Sequence, residues 1–315
     1  MKLGILGTAD IAYRRFLPAL MKIADITYAG VASRTPEKAR KFQETYGGRI
    51  YDSYDALIAD DDIDAVYVPL PPALHYEWGK KVLEAGKHLL MEKPFTTSAQ
   101  ETEQLLKMAE EKRLAVHENY MFLYHSQLAR IKQLISQGEL GQIRLYRMSF
   151  GFPMRGQGDF RYNKALGGGA LLDCGGYPVR LALELLGDTA KVVQSKLIQP
   201  KGFEVDLYGS AVMENDVGEV AQISFGMDNA YQCQLEVWGS KATLIASRIF
   251  TAGDGIKPVM ILRTSSDERK LELEADDQFL HSIQQFQETI QKCIINTSIL
   301  RQSELIEEIK RSNNL

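Results

Sequence analysis

The first 119 residues alternate short apolar runs with helical patterns, and this alternation constrains the fold more than any other feature. Apolar runs at Lys2–Leu6, Ile26–Ser33 and Ala65–Val68 are each followed by a stretch with helical periodicity. Helices that alternate with strands return the chain to the same edge of a sheet, so the strands become parallel. We therefore predict an α/β fold whose first half is a doubly wound parallel sheet. The other predicted elements of this half are strands at Arg49–Tyr51, Lys87–Leu90 and Leu114–His117, and helices that end near Ile23 or lie at Glu37–Tyr46, Tyr54–Ile58, Ala73–Ala85 and Ala99–Lys112.

The turn after the first predicted strand carries a nucleotide-binding pattern. Gly4 and Gly7 are present, Ala9 stands where a second turn glycine is usual, and Ala12 fills the helix-packing position. A glycine-rich turn that opens a helix binds a pyrophosphate through main-chain N–H groups. We therefore expect a dinucleotide here; a plain strand-to-helix turn is the alternative. The candidate cofactor-binding residues of this turn are Gly7, Thr8, Ala9, Asp10 and Ile11.

The end of the second predicted strand indicates which dinucleotide is bound. Enzymes specific for NAD place an acidic residue there for the ribose hydroxyl, but this chain has Ser33 and Arg34. A guanidinium and hydroxyl groups bind a 2′-phosphate, whereas an acid would repel it. We therefore predict NADP(H), with NAD(H) as the alternative cofactor. The alternative explanation of Arg34 is a surface arginine beside the next helix.

Two loops follow the fourth and fifth predicted strands, at the edge where open α/β sheets bind their ligands. Prolines stiffen the first loop, which leads to His75; this residue either contacts the nicotinamide end or is a plain surface residue. In the second loop Pro94 pushes Lys93 away from helical geometry, so the ammonium points to the crevice above the strand ends. A solvated loop lysine is the alternative. The candidate cofactor-binding residues of the two loops are Leu70, Pro71, His75, Glu92, Lys93 and Pro94.

From Tyr120 onward the pattern changes to consecutive strands. Short polar turns such as Asn215-Asp216 separate these strands, which indicates an antiparallel sheet. We therefore predict a dinucleotide-binding domain at 1–119 and a second α/β domain at 120–315, the last helix of which may return to the first domain. The predicted elements are helices at His125–Gln137, Ala170–Leu186, Asp277–Ile294 and Ser298–Arg311, and strands at Gln142–Gly151, Lys191–Gln199, Leu207–Glu214, Glu219–Gly226, Tyr231–Trp238, Ala242–Ser247, Val259–Arg263 and Lys270–Glu274.

A glycine-rich segment at 166–178 is the second stretch with chemical potential. If Ala170–Leu186 is helical, Asp173 and Tyr177 stand at i and i+4 and share one face. The two glycines between them weaken a helix by roughly 1 kcal/mol each relative to Ala, which makes sense where another element packs closely. Pro178 cannot donate to the preceding turn, so a kink is expected there. The alternative is a loose helix start with a surface acid and a half-buried tyrosine.

Lys93 and Tyr177 together are typical of a reductase. Hydride transfer to a carbonyl needs a proton donor for the developing alkoxide. A free tyrosine, with a pKa near ~10, is a poor acid–base group at neutral pH, and a nearby ammonium lowers that pKa. We therefore predict Lys93, Tyr177 and Asp173 as catalytic residues, with Asp173 orienting the substrate hydroxyl or the lysine.

Composition excludes several other classes of function. With 41 acidic and 37 basic side chains, the net charge of −4 gives no footprint for nucleic acid. No apolar run approaches the ~20 residues that span a bilayer, and the first strand leaves no room for a signal peptide. We therefore expect a cytoplasmic protein with no membrane partner. Cys174, Cys233 and Cys293 lie far apart and the 5 histidines are scattered, so neither a disulfide framework nor a metal site is expected.

These motifs resemble the glucose-fructose oxidoreductase, inositol dehydrogenase and rhizopine-catabolism (Gfo/Idh/MocA) family. The resemblance rests on the glycine-rich start, on Glu92-Lys93-Pro94 and on the segment from Gly167 through Asp173 to Tyr177, and it covers nearly the whole chain. It implies a Rossmann domain followed by an α/β domain with an open, mostly antiparallel sheet. That sheet often forms dimers or tetramers in the family, so a homodimer or homotetramer is expected. The family's catalytic lysine and aspartate fall on Lys93 and Asp173, and Tyr177 takes its final acid–base position.

A tyrosine at that position is similar to the branch with glucose-fructose oxidoreductase, xylose and dihydrodiol dehydrogenases and sugar 3-ketoreductases. The loops at Pro69–His75 and Glu118–Ser126 look like those of the 3-ketoreductases, which implies a carbohydrate substrate, with a nucleotide-linked 3-keto sugar as one option. Leu123 stands where many members carry arginine, which argues against an inositol or free-hexose pocket. A dehydrogenase of free aldoses or dihydrodiols and a non-catalytic NAD(P)-binding regulator are the alternatives. The candidate substrate residues are Tyr120, His125, Arg161 and Tyr162; solvated loop positions would explain Arg161 and its neighbour Arg155 as well.

Overall fold

The computed structural model describes residues 1–156, 158–292 and 296–313, which form two compact units. The first unit comprises Met1–Tyr120 together with Phe279–Leu300, and the second comprises Met121–Gln278 and the chain from Arg301 onward. The segment that joins the first unit from the far end of the chain is therefore the penultimate helix. The last helix, which was the expected candidate, lies mostly in the second unit.

The first unit contains a six-stranded parallel sheet in the order β3-β2-β1-β4-β5-β6. The strand order reverses between β1 and β4, and a reversal of this kind places the ligand site at the carboxyl ends of the strands. The doubly wound parallel sheet predicted from the alternating pattern is confirmed. Its strands are β1 (Lys2–Leu6), β2 (Thr27–Ala32), β3 (Arg49–Tyr51), β4 (Ala65–Val68), β5 (His88–Met91) and β6 (Val116–Glu118).

Helices pack their apolar faces on this sheet. Leu57, Val82 and Leu105 are fully buried against strand residues such as Val66, and Ile299 from the end of the chain belongs to the same core. The α-helices of the described residues are α1 (Leu17–Leu20), α2 (Pro36–Tyr46), α3 (Tyr54–Ile58), α4 (His75–Glu84), α5 (Ala99–Lys112), α6 (Ser126–Ser136), α7 (Gly176–Leu186), α8 (Gln278–Lys292) and α9 (Ser298–Arg311). The predicted end of α8 at Ile294 and the position of Cys293 lie outside the described residues.

Two helices begin with a wide π-type segment instead of a regular α-helical turn. Ala12–Phe16 leads into α1 and Leu171–Gly175 leads into α7. In each case a proline, Pro18 or Pro178, follows within three residues of the segment. A proline inside a helix lacks the N–H for the carbonyl four residues earlier and its ring clashes with that carbonyl, so the preceding turn widens. The kink expected before Pro178 is thus a π segment.

The second unit contains an eight-stranded sheet in the order β14-β13-β12-β11-β7-β10-β9-β8. Only β7 and β10 pair in parallel, and the other described pairings are antiparallel, so the mostly antiparallel sheet is confirmed. The last strand begins earlier than expected, because the Thr264 hydroxyl accepts the amides of Ser266 and Asp267 and closes a tight turn before it. The strands are β7 (Ile143–Gly151), β8 (Lys191–Ile198), β9 (Tyr208–Glu214), β10 (Val220–Gly226), β11 (Gln232–Gly239), β12 (Thr243–Ser247), β13 (Val259–Arg263) and β14 (Glu268–Glu272).

The described residues contain neither a membrane-spanning helix nor a cluster of metal-binding side chains. None of their helices is long and apolar enough to cross a membrane. Nor do their histidine, cysteine and acidic side chains gather in any group that could hold a metal ion.

Candidate active site

The turn after β1 is shaped for close approach of a ligand. Gly7 has φ 90°, a left-handed conformation, and its amide donates to the Ala32 carbonyl at 2.8 Å. This φ favours glycine, and a Cβ here would also lie 2.8 Å from the end of the Leu70 side chain, which would have to shift. The residues that follow open a helix, whose first N–H groups lack partners within the helix and attract anions. The turn therefore has a shape that suits a dinucleotide pyrophosphate. The cofactor contacts of Gly7, Thr8, Ala9, Asp10 and Ile11 stay predictions.

The end of β2 gathers hydroxyl groups beside a positive charge. The hydroxyls of Thr8 and Ser33 are 3.2 Å apart, and the Ser33 hydroxyl accepts the Thr35 amide at 3.0 Å. Arg34 is exposed, and no carboxylate of the described residues pairs with it. The arrangement presents a guanidinium and hydroxyls without a nearby acid, which suits a ribose 2′-phosphate.

The turn that carries Lys93, formed by Glu92–Phe95 and called the Lys93 turn below, is fixed by side chains from neighbouring strands. Glu92 Oε1 accepts the Tyr67 hydroxyl from β4 and the Asn119 amide that follows β6, both at 2.6 Å. The Phe95 amide donates to Glu118 Oε1 at 2.8 Å, and the Lys93–Pro94 peptide is cis. Removal from water raises the pKa of Glu92, while the two side-chain donors and the Lys93 ammonium act against that rise. Lys93 therefore stands on a turn whose backbone is held on both sides.

His75 connects the Lys93 turn to the loop after β4. Its ring is fully buried at the start of α4, with Nδ1 2.8 Å from the Pro94 carbonyl oxygen and Nε2 2.7 Å from that of Leu70. Burial lowers the pKa of His75, although the two carbonyl oxygens favour its protonated form. The surface alternative for His75 is wrong, because its ring is buried and links two loops through main-chain carbonyl groups. Its contact with the nicotinamide stays a prediction.

In the second unit, Asp173 is paired with Arg161. The Arg161 Nε donates to Asp173 Oδ2 at 2.6 Å, and Nη1 donates to Asp159 Oδ1 at 3.1 Å. The two partners are largely buried, with side-chain exposures of 19% for Arg161 and 11% for Asp173. Arg161 was expected to hold a substrate, and that role stays a prediction. Its guanidinium is paired with two carboxylates and thereby orients Asp173.

Tyr177 lies in the first turn of α7 and is 7% exposed. Its ring contacts those of Phe122, Phe150 and Phe250, with centroids 5.0 to 5.9 Å apart. Its hydroxyl lies 4.0 Å from the Met121 sulfur. Aromatic walls of this kind hold the phenol in one orientation. The surface alternative for the Asp173–Tyr177 segment is therefore wrong.

The start of α7 depends on residues that the sequence reasoning missed. Asp206 accepts the Leu171 amide through Oδ2 and the Ala170 amide through its carbonyl, both at 2.8 Å. A Cβ on Gly169 would lie 2.5 Å from Asp206, and a Cβ on Gly175 would lie 3.0 Å from the Phe225 ring. The close packing expected for the glycines is confirmed at Gly175. No local pattern marked Asp206, since it is 35 residues from the amide that it caps.

The remaining candidates have structural contacts. Tyr120 is 1% exposed at the end of the first unit, and His125 is 1% exposed with Nδ1 accepting the Gln127 amide at 3.0 Å. Tyr162 is half-buried, and its hydroxyl accepts the Arg155 amide at 2.8 Å. These contacts place His125 and Tyr162 in helix capping and loop closure, so their substrate roles stay predictions.

Comparison with known proteins gives the class. Residues 1–120 match an oxidoreductase family with an NAD-binding Rossmann fold, and residues 128–245 match the GFO/IDH/MocA C-terminal domain. The chain belongs to the GFO/IDH/MocA family of oxidoreductases. It is thus a nicotinamide-dependent oxidoreductase, and the non-catalytic alternative is wrong.

Two enzymes of known activity are similar to this chain in sequence. The chain is 40% identical, over 92% of its length and 87% of the relative, to a dTDP-3,4-didehydro-2,6-dideoxy-alpha-D-glucose 3-reductase of Actinomadura kijaniata. It is 35% identical, over 72% of its length and 70% of the relative, to an NADP(+)-dependent D-xylose 1-dehydrogenase of Haloferax volcanii.

A solved structure also resembles the whole chain. It is a 3-ketoreductase from Actinomadura kijaniata in complex with NADP and TDP-benzene, 38% identical, with a TM-score of 0.96 over 99% of this chain and 98% of that one. The same 3-ketoreductase has been solved with one tyrosine replaced by phenylalanine and with one lysine replaced by alanine.

Proposed function

We propose that this protein is an NADPH-dependent reductase of a dTDP-linked 3-keto sugar. The observation that carries the proposal is the match along nearly the whole chain to a 3-ketoreductase that binds NADP and TDP-benzene. The tyrosine and lysine replaced in that protein are separated by the same number of residues as Lys93 and Tyr177 here. This agreement supports the assignment of both residues.

The residues proposed to bind the cofactor all lie in the first unit. The glycine turn after β1 would hold the pyrophosphate, and Ser33, Arg34 and the Thr8 hydroxyl would hold a 2′-phosphate, which favours NADP(H) over NAD(H). Leu70 and Pro71, in the loop after β4, would contact the cofactor on one side. Glu92, Lys93 and Pro94, after β5, would contact it on the other side. The bound cofactor supplies the hydride.

The protein's own residues would donate the proton to the carbonyl oxygen and stabilise its negative charge. We assign Tyr177 as the donor that protonates the carbonyl oxygen of the sugar, Lys93 as the cation that stabilises the developing alkoxide, and Asp173 as the acceptor that orients a sugar hydroxyl. The aromatic walls around Tyr177 fix the direction of its hydroxyl, and Arg161 fixes that of Asp173.

The direct test is an absorbance assay of NADPH oxidation with dTDP-3,4-didehydro-2,6-dideoxy-D-glucose. Turnover is expected with this substrate, and D-xylose with NADP+ should be turned over far more slowly. Faster oxidation of D-xylose would favour the dehydrogenase alternative that the Haloferax relative represents.

Variants test the assigned residues. Lys93→Met and Tyr177→Phe should each lower kcat by roughly 100-fold or more, since each removes a group that acts in the transition state. NADPH binding, followed by fluorescence, should stay near the wild-type value for Tyr177→Phe. Unchanged kcat in either variant would contradict its assignment.

We also propose a homodimer or homotetramer that forms through the sheet of the second unit. The apolar side chains of Val193, Tyr208 and Trp238 are 54%, 42% and 49% exposed on β8, β9 and β11 of that sheet. Light scattering gives the molar mass directly, and a monomer at micromolar concentration would contradict the proposal. The cytoplasmic location stays a prediction.

A further inference from the structure

A chain of buried hydrogen bonds leads from the C-terminal segment of the first unit to the Lys93 turn. His117 Nε2 lies 2.9 Å from the Ser282 hydroxyl, which donates to Asn119 Oδ1 at 2.8 Å. Asn119 Nδ2 in turn donates to Glu92 Oε1 at 2.6 Å. All of these residues belong to the first unit, and Ser282 is contributed by α8, 163 residues beyond Asn119.

The hydrogen bonds from His117 to Glu92 all donate in the same direction. Because a serine hydroxyl has a single proton and Ser282 gives it to Asn119, the Ser282 oxygen must accept the proton of His117 Nε2. An amide that accepts through its oxygen presents its NH2 group to the other side, here to Glu92. Each link therefore donates toward the Glu92 carboxyl group, and the Tyr67 hydroxyl donates to the same oxygen.

These donors act on the Glu92 carboxyl group, and burial of that group disfavours its ionised form. Asn119 is 1% exposed, while His117 and Ser282 are 4% and 0% exposed, so water does not compete for the links. Hydrogen bonds to a carboxylate favour its ionised form, and chains of such bonds polarise one another. The carboxylate of Glu92 stands next to Lys93 in sequence and accepts the Lys93 amide through Oε2 at 3.3 Å.

We propose that Ser282 is a positioning residue for the Lys93 turn. It holds Asn119 in the orientation that keeps Glu92 as a carboxylate, and Glu92 thereby fixes both the backbone and the electrostatic surroundings of Lys93. The titratable groups that face Glu92 are Lys93 in its own turn, Tyr67 on β4 and, through Ser282, His117 on β6. Glu118 of β6 is engaged by the Phe95 amide. The consequence for catalysis rests on the function proposed above, but the protonation of Glu92 does not.

The first experiment therefore measures protonation without turnover. Infrared difference spectra of the full-length protein against Glu92→Gln isolate the carboxyl stretch of Glu92 through a pH titration. Ser282→Ala should raise the midpoint by about one pH unit, because Asn119 loses the partner that orients it. Thr289→Val is the matched control: Thr289 is a buried hydroxyl on the same helix, and it donates only to the Gln285 carbonyl at 2.9 Å.

The second experiment measures the consequence with NADPH and dTDP-3,4-didehydro-2,6-dideoxy-D-glucose. Ser282→Ala should lower kcat by about ten-fold with little change in KM, the size expected for loss of a charge-assisted hydrogen bond. Activity requires ionised Glu92, so it is lost as the pH falls through the pKa of Glu92, and this acid limb should move to higher pH. Ser282→Thr retains the hydroxyl and should restore both values.

A double variant distinguishes positioning from a general loss of stability. If Ser282 acts through Glu92, Ser282→Ala adds no further loss of kcat in the Glu92→Gln background. Additive losses, or an infrared midpoint that Ser282→Ala leaves unchanged, would overturn the proposal. Absence of turnover in the wild-type protein would overturn the proposed substrate, while the infrared midpoint would still decide the role of Ser282.

Discussion

At the scale of single residues, charged groups near the proposed chemistry are used mainly to orient one another. Burial opposes the charge of Arg161, yet the carboxylates of Asp173 and Asp159 together raise its pKa. Arg161 therefore stays ionised and keeps Asp173 in one rotamer. Arg34 shows the opposite situation, since it is exposed without a carboxylate partner among the described residues and remains available for a ligand.

The role of Arg161 can be tested by removing its charge. Arg161→Met leaves Asp173 without its main donor, so kcat should fall by roughly 10- to 100-fold, as expected when one partner of a mostly buried pair is lost. NADPH binding should not change, because the cofactor residues lie in the first unit. Arg144→Met, at an exposed position on β7, is the control and should behave as wild type. An equal loss in both variants would exclude a specific role for Arg161.

The role of Arg34 can be tested through cofactor preference. Arg34→Asp should repel the 2′-phosphate and raise the ratio of kcat/KM for NADH to that for NADPH by about 100-fold, since a charge-assisted bond becomes a repulsion. Lys107→Asp makes the same charge change on the exposed face of α5 and should leave the ratio unaltered. The same ratio in the wild type and Arg34→Asp would show that another residue selects the cofactor.

At the scale of elements, the start of α7 is determined by both the local sequence and tertiary contacts. The π segment Leu171–Gly175 follows from Pro178, while the position of the segment follows from Asp206 and from the contact of Gly175 with Phe225. Asp206 is also largely buried, and this burial raises its pKa while the amides that it caps oppose the rise. Helix, cap and strand therefore depend on one another.

Gly169 is the position where this dependence is easiest to measure. Its φ of 120° disfavours any L side chain, and a Cβ there would lie 2.5 Å from Asp206. Gly169→Ala should lower the free energy of unfolding by about 2–4 kcal/mol, for strain plus displacement of the cap. Gly187→Ala is the control: it has φ 81° with nothing within 4 Å, so it retains only the backbone cost. Equal losses in urea unfolding would show that Asp206 does not matter.

The elements themselves were largely predictable from the sequence, and their long-range partners were not. Alternation of apolar runs with helices predicted the parallel sheet. The apolar run at 87–90 predicted that Lys93 follows the fifth strand, and Pro94 predicted that Lys93 is not helical. The links of Ser282 to Asn119 and of Asp206 to Leu171 join residues far apart in the chain, and no periodicity encodes such pairs. The link that His75 makes between two loops was not predicted either, since both of its partners are main-chain carbonyl groups, which no side-chain pattern marks.

At the scale of the whole molecule, the first unit is assembled from two distant parts of the chain. Phe279–Leu300 contributes Ile299 to its apolar core and Phe286, which is fully buried with its ring centroid 5.9 Å from that of His117. The dinucleotide-binding unit is therefore incomplete in residues 1–120 alone, although the family match for that domain ends there.

Phe286→Ala tests this assembly. A buried phenylalanine replaced by alanine costs about 3–5 kcal/mol, and the loss should appear in the first unit. Hydrogen exchange should become faster in β5 and β6 but not in β9 and β10. Leu305→Ala removes a fully buried leucine of the second unit and should show the reverse pattern. Faster exchange of β9 and β10 in Phe286→Ala would contradict the division.

The origin of Ser282 has a consequence for how the protein is made. A ribosome synthesises Lys93 long before α8, so the Lys93 turn cannot gain the link through Ser282 until α8 has been made. A chain that terminates before α8 contains Lys93, Asp173 and Tyr177. It lacks the Ser282 hydroxyl, which joins His117 to Asn119. The Lys93 turn is therefore expected to gain its full set of buried hydrogen bonds only after most of the chain has been made.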